Sequence, residues 1–200
     1  MTRHPPGPAI LIPAAGGSTR MRGRDKLLET VAGLPLIAER VQTAAATGAE
    51  VIVALPPEAS APARWHALSG APARLLPVPA CATGMAASLA AAVAALAPDC
   101  PGLMVLPADM PEVTTEDIAH MLARFDGEAI LRATSADGRP GHPVLFPARD
   151  FARLAALTGD VGGRAILESA RDRLRPVPLP AEHALTDLDT PEDWARWRRR

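Results

Sequence analysis

The chain has 200 residues, of which 48% are hydrophobic and 22% charged, with 21 basic and 22 acidic side chains and a formal net charge of −1. This composition predicts one globular domain over residues 1–200 and excludes disorder or a fibrous repeat. The near-zero charge lacks the electrostatic footprint of a nucleic-acid binder, and no apolar run reaches the ~18–20 residues of a membrane span. Pro5, Pro6 and Pro8 precede any apolar stretch, which is not the order of a signal peptide, so the expectation is a cytoplasmic protein.

Five short apolar runs have strand length. Ala9–Pro13 is continuous rather than alternating, which suits a strand buried on both faces. Runs of the same kind follow at Glu50–Leu55, Arg74–Val78, Gly102–Leu106 and Glu128–Arg132. Between them, helices are predicted over Leu36–Ala46, Ala61–Leu68, Met85–Leu96 and Thr115–Phe125. In the last of these, Ile118, Met121, Leu122 and Phe125 keep a helical i, i+3, i+4, i+7 spacing. Alternating strands and helices predict a three-layer α/β/α sandwich around a mostly parallel, Rossmann-like sheet.

Beyond residue 133 the pattern loosens. A turn is predicted over Asp137–Gly141, a strand over His142–Phe146, and helices over Ala148–Ala156 and Gly163–Asp172. Thr190-Pro-Glu-Asp193 supplies an N-cap, a proline at the first helical position and an acid at the third, so a final helix starts there. Trp194 and Trp197 on that helix fit packing better than base stacking, and the closing arginines, Arg196 and Arg198–Arg200, read as a solvated tail.

In an open α/β sheet, ligands bind beyond the carboxyl ends of the strands, so the loops after the first strand and after Leu106 are where chemistry is expected. The first loop, from Ala14 and Ala15 through Gly16, Gly17 and Ser18 to Arg20 and Lys26, joins small residues to cationic side chains. Close-approaching amides plus cations describe a polyphosphate cradle, although a glycine-rich turn with a solvated basic face has the same composition. Lys26 is the one lysine among 21 basic residues. There is no GxGxxG, and the lysine follows Asp25 rather than glycine, so the dinucleotide and P-loop motifs are both excluded.

The second loop, Leu106-Pro-Ala-Asp-Met-Pro111, holds Asp109 between prolines at a strand end, a position suited to a metal ion or to an ordinary turn. Magnesium takes few protein carboxylates and completes its shell with water and phosphate oxygens. A second ligand could come from Asp187-Leu-Asp189, with Asp189 preferred over Asp187. Cys81 and Cys100 stand apart with no CxxC, and His4, His66, His120 and His183 show no ligand spacing.

These motifs together resemble the MobA-like nucleotidyltransferases. The glycine loop with Ser-x-Arg-Met and a following lysine is similar to that family's signature. Thr83-Gly-Met-Ala-Ala-Ser-Leu89 resembles its second nucleotide-contacting segment, Leu106–Pro111 its metal loop, and Asp187–Asp193 its closing motif. The resemblance implies that Ala14, Ala15, Gly16, Gly17, Ser18, Arg20, Lys26, Gly84, Met85 and Ser88 contact a nucleotide. It implies catalytic roles for Arg20, Lys26 and Asp109, and Mg2+ or Mn2+ on Asp109 and Asp189. It also implies a nucleotide-binding half of about 9–110 and an acceptor-binding half of about 111–200.

Pro13-Ala-Ala-Gly16 resembles the cytidylyl-transferring molybdenum cofactor enzymes. So do Gly138–Pro143 and Thr158–Arg164, which imply acceptor contacts from Gly141, His142, Pro143, Gly159, Asp160 and Arg164. The implied reaction is transfer of CMP from CTP to a molybdopterin-type phosphate, with pyrophosphate leaving and a client molybdoenzyme as a possible partner. The spacing from Arg20 to Lys26 instead matches the guanylyl enzymes. GTP, or a sugar, polyol or lactyl phosphate acceptor, therefore stays open, as does a domain of another class that senses a nucleotide without turnover.

Overall fold

The computed structural model describes residues 7–81, 84–159 and 163–200. Its strands are β1 Ala9–Pro13, β2 Thr30–Val31, β3 Leu34–Pro35, β4 Val51–Leu55, β5 Arg74–Pro77, β6 Gly102–Val105, β7 Ile130–Thr134, β8 Pro140–Pro147 and β9 Leu174–Pro178. The helices are α1 Leu36–Ala45, α2 Pro62–Ala67, α3 Met85–Ala95, α4 Thr115–Ala123, α5 Phe151–Ala155, α6 Arg164–Ser169 and α7 Pro191–Trp197.

Seven strands form one sheet in the order β5-β4-β1-β6-β8-β7-β9. β1 lies at its centre, parallel to both neighbours, with Ile10 opposite Val51 on one side and Met104 on the other. Successive side chains of a strand point to opposite faces, so the unbroken apolar run of β1 must supply two cores. Ile10 and Ile12 pack with Leu36, Ile37 and Val41 of α1, Ile118 and Met121 of α4 and Trp194 of α7. Ala9 and Leu11 pack with Leu89 and Ala92 of α3, Leu154 of α5 and Ile166 and Leu167 of α6. The three expected layers are present.

Several predicted elements shift for local reasons. The strand expected over Glu128–Arg132 starts two residues later, because the Asp126 carboxylate accepts the amides of Glu128 and Ala129 and draws them into a turn. The sheet is mostly parallel, as expected, with β8 as its antiparallel member, running against both β6 and β7. The reason is the Ser135–Arg139 turn, closed by the Ser135 amide on the Arg139 carbonyl at 2.9 Å. It is too short for the crossover that a parallel neighbour needs.

β9 was not expected, since Leu174-Arg-Pro-Val-Pro178 carries two prolines; it is an edge strand, where missing donors cost nothing. The β2–β3 hairpin was also missed. Ala32 and Gly33 at its tip both have positive φ, the requirement of the tight turn that suits strand twist. The segments expected as single helices over 148–156 and 163–172 each divide into a short α-helix and a 3-10 turn.

α7 begins as expected, with a reciprocal capping box between Thr190 and Asp193. Trp194 and Trp197 meet edge to face at 5.9 Å. The basic end is not a free tail: Arg198 lies 4.9 Å above the Trp194 ring and pairs with Glu29, and Arg200 pairs with Glu112. No described helix is long and apolar enough to cross a membrane.

Gly141 in β8 has a packing reason of its own. A Cβ there would fall 1.9 Å from the Ala184 carbonyl oxygen, which also accepts the His142 amide at 2.9 Å. Gly141→Ala is expected to lower the unfolding free energy by about 1–3 kcal/mol or more, because backbone rather than a flexible side chain must give way. The urea midpoint checks this; an unchanged midpoint would show that the segment around Ala184 yields freely.

Candidate active site

The order β4-β1-β6 reverses direction at β1, and a crevice opens there beyond the carboxyl ends of β1 and β6. The loop leaving β1 is braced from beneath by Arg64 of α2, whose side chain is only 5% exposed. Its Nη1 donates to the Ala14 carbonyl at 2.5 Å, and its Nε and Nη2 grip the two Asp25 oxygens at 2.6 and 3.0 Å. Asp25 in turn accepts the Ser18 hydroxyl at 3.1 Å and the Leu27 amide at 3.0 Å. Ser18 and Arg22 both adopt left-handed backbone, so the loop curls back on itself over this brace.

The brace consumes polar groups on the inner side of the loop and none on the outer. Among the described residues, the amides of Ala15, Gly16, Gly17 and Ser18 have no protein partner. A Cβ on Gly16 would meet nothing within 4 Å, and one on Gly17 only a methyl at 3.8 Å. Neither glycine has a positive φ. The fold does not require glycine at either place; what the missing side chains provide is room for close approach to open donors.

Three distant segments meet over this loop at one ammonium. Lys26 Nζ donates to Asp109 Oδ2 at 2.5 Å and to Asp189 Oδ1 at 2.7 Å, while Arg20 Nη1 reaches the other Asp189 oxygen at 2.7 Å. Burial opposes the charge on Lys26, but Asp109 and Asp189 more than offset it and raise its pKa above the ordinary value. Asp109 stands on the loop after β6, and its carbonyl accepts the Leu188 amide at 3.0 Å, which pins the segment carrying Asp189. Asp187 is pushed up by burial and by the charges of Asp189 and Asp109.

This donor set suits a hard divalent cation. Two carboxylates converge closely enough to share one ion, a third adds negative charge nearby, and phosphate oxygens and water would complete the shell. No cluster of three or more metal-ligating side chains occurs among the described residues.

The loop, cations and carboxylates border a cavity of about 740 Å3. All the expected nucleotide contacts, Ala14, Ala15, Gly16, Gly17, Ser18, Arg20, Lys26, Gly84, Met85 and Ser88, line it, together with Asp109 and Asp189. A second cavity of about 600 Å3 adjoins it and shares Pro13, Met85 and Pro107. Met85, 39% exposed, forms part of the wall between them.

The expected acceptor residues divide. His142 and Arg164 line the second cavity. Gly141 reaches only a smaller cleft beside Asp187. Pro143 borders neither of the two main cavities, and Gly159 instead accepts the Ala86 amide at the start of α3. Asp160 and Thr83 lie outside the described residues. The His142 ring is open to the cavity but enclosed by its walls; burial and the charge of Arg132 lower its pKa, against a smaller opposing pull from Asp109, which favours its uncharged form.

Sequence reasoning missed Asp25 and Arg64, which nothing local marks, and Arg132 and Arg171 of the second cavity. A signal for Arg132 was available: a lone charge inside an otherwise apolar strand.

A glycine loop with open amides at the switch point of the sheet, facing paired carboxylates across a cavity of this size, has the form of a nucleotidyltransferase site. Within that class, residues 10–175 match the MobA-like NTP transferase domain, and the chain belongs to that family. Rv0371c from Mycobacterium tuberculosis H37Rv is similar in structure, with 26% identity and a TM-score of 0.82 over 98% of this chain and 100% of that one. A complex of Rv0371c with manganese has 24% identity and a TM-score of 0.78 over the same shares. The Methanothermobacter nucleotidyl transferase Mth528 has 22% identity and a TM-score of 0.81 over 96% of each chain. A CMP:2-keto-3-deoxy-manno-octonic acid synthetase complexed with CTP shares the fold at 17% identity and a TM-score of 0.72, over 96% of this chain and 97% of that one. No curated protein matches the sequence.

The brace carries a pH signature. Burial works against the Asp25 carboxylate, but the Arg64 guanidinium, the Leu27 amide and the Ser18 hydroxyl outweigh it and hold its pKa below 3.8. A carboxylate depressed in the folded state stabilises fully above its unfolded pKa and loses that contribution as pH falls through the folded value. Asp25→Asn is therefore expected to cost about 2 kcal/mol at neutral pH, less than a fully buried pair because the carboxylate is partly in solvent. It should also remove part of the wild-type loss of stability below about pH 4. Urea unfolding at a series of pH values checks both; parallel curves for the two proteins would contradict the brace.

Proposed function

We propose that the chain transfers CMP from CTP to the terminal phosphate of a molybdopterin-type acceptor and releases pyrophosphate. The observation that carries this reading is the meeting of two unlike cavities at Pro13, Met85 and Pro107. One is lined by open amides and cations, as a triphosphate requires. The other is walled mainly by Leu89, Val144, Phe146, Leu167 and Leu174, with arginines among them. Apolar walls with few neutral hydrogen-bonding groups suit a phosphate ester of a flat heterocycle better than a polyhydroxylated sugar. Cytidine is favoured by Pro13-Ala-Ala-Gly16 and by the shared fold of a synthetase that binds CTP. The Arg20 to Lys26 spacing favours GTP as the second reading.

The acceptor's phosphate oxygen attacks the α-phosphorus of the nucleotide, and the bond to the leaving pyrophosphate breaks. A phosphate is already anionic near neutral pH, so no general base is needed, and the lowered pKa of His142 is compatible with the step. The work left to the protein is positioning and charge neutralisation. The amides of Gly16, Gly17 and Ser18 receive phosphate oxygens, and Arg20 and Lys26 spread positive charge along the β and γ groups. Lys26, held protonated by its two carboxylates, stays a fixed cation through the reaction. Asp109 and Asp189 would hold Mg2+ or Mn2+, a reading supported by the manganese complex of Rv0371c, and the ion when bound supplies Lewis-acid stabilisation of the phosphates.

The test is pyrophosphate release with CTP, GTP, ATP and UTP against molybdopterin and phosphosugars, with Mg2+ or Mn2+ and after chelation. Release with CTP and molybdopterin that chelation abolishes is expected; a preference for a phosphosugar would remove the acceptor assignment. Lys26→Arg keeps the charge but replaces a compact ammonium with a planar fork between two carboxylates. Turnover should fall at least about tenfold, and a rate within about twofold of wild type would contradict the role of Lys26.

A further inference from the structure

Two arginines that border the second cavity, Arg132 and Arg171, have no ion-pair partner among the described residues, and of the two only Arg132 also borders the smaller cleft beside Asp109. Arg164 pairs with Glu168, Arg173 with Asp150 and Arg175 with Asp126. Arg132 sits half-buried in the middle of β7, and no carboxylate among the described residues lies within ion-pair distance of it. Of its five donor hydrogens, only the one on Nε is used among the described residues, toward the Gly141 carbonyl at 3.1 Å. That bond holds the guanidinium against β8 and leaves both terminal nitrogens uncommitted.

Its place in the fold is equally specific. Arg132 and His142 border both the 600 Å3 cavity and the smaller cleft that contains Asp109 and Asp187. Pro107 belongs to these two spaces and to the nucleotide cavity as well. The guanidinium therefore stands beside the junction where an acceptor's reacting group must meet the nucleotide. Burial and the charge of Arg164 both push its pKa down, so the cation is held where its surroundings disfavour it. A half-buried positive charge of this kind is stabilised by an anion, and a free planar fork matches a phosphate bidentately.

We infer that Arg132 is the acceptor-phosphate anchor: its two terminal nitrogens receive the phosphomonoester that reacts, beside His142, while the apolar cavity takes the body of the acceptor. The inference rests on the second cavity being the acceptor site. It predicts that the enzyme selects a phosphomonoester on an apolar body before any recognition of the acceptor's particular rings.

The full chain, saturated with α,β-methylene-CTP and Mg2+ to occupy the nucleotide loop, is titrated calorimetrically with phenyl phosphate, an apolar ring bearing one phosphomonoester. One saturable site is expected in the wild type. Arg132→Gln should weaken it about tenfold or more, and Arg132→Lys should weaken it less, with affinity for the nucleotide analogue within about twofold of wild type in both. Should the glutamine variant fail to fold by its thermal melt, the lysine variant decides, since it keeps the charge and loses only the fork. Wild-type affinity in the folded variants, no saturable site in the wild type, or an equal loss of nucleotide affinity would overturn the assignment. Failure of the nucleotide analogue to bind at all refutes the nucleotide reading instead; phenyl phosphate titrated into the free chain then still reports whether its site depends on Arg132.

Discussion

One ammonium group joins three parts of the chain that sequence keeps far apart. Lys26 on the first loop meets Asp109 on the loop after β6 and Asp189 before α7, at 2.5 and 2.7 Å. Two carboxylates this close repel each other, and the Lys26 ammonium between them offsets that repulsion, as a bound ion would. The same need explains why Arg20 reaches Asp189 from the other side. Charge balance at this point brings the walls of the 740 Å3 cavity together.

The loop beneath is held by a different economy of polar groups. Arg64 and Asp25 satisfy the loop's inward-facing groups from below, so its outward amides need not turn in to find partners. A glycine loop without such a brace would collapse onto its own donors or wander, since glycine has the largest backbone entropy to lose. The rigid underside and open upper side are one structure, and neither Arg64 nor Asp25 needs to touch a ligand to matter.

The division of labour between the two cavities follows from the topology. β1 and β6 are parallel strands whose loops carry the open amides, cations and paired carboxylates, while the antiparallel β8 brings His142 to the opposite wall. The β7–β8 hairpin places Arg132 and His142 on neighbouring strands facing the same space. A charge-rich half and an apolar half thus meet along a short seam of Pro13, Met85 and Pro107, which is the geometry that transfer between two bound molecules requires.

Much of this was legible in the residues alone, because the relevant signals are local. A continuous apolar run such as Ala9–Pro13 suits a doubly buried strand, Thr190-Pro-Glu-Asp193 caps a helix wherever it lies, and small residues followed by Arg20 and Lys26 mark a close-packed loop with cations beside it. The antiparallel β8, the proline-bearing edge strand β9 and the hairpin at Ala32 and Gly33 were less legible, since pairing direction and edge position depend on what lies alongside. Only tertiary structure decided that Arg64 braces the loop, that Gly141 yields its space to Ala184, and that Arg132 has no acid partner among the described residues. The physical reason is common to all three: each depends on a contact, or the lack of one, between groups distant in the chain. No local periodicity records which of two arginines will find a carboxylate waiting.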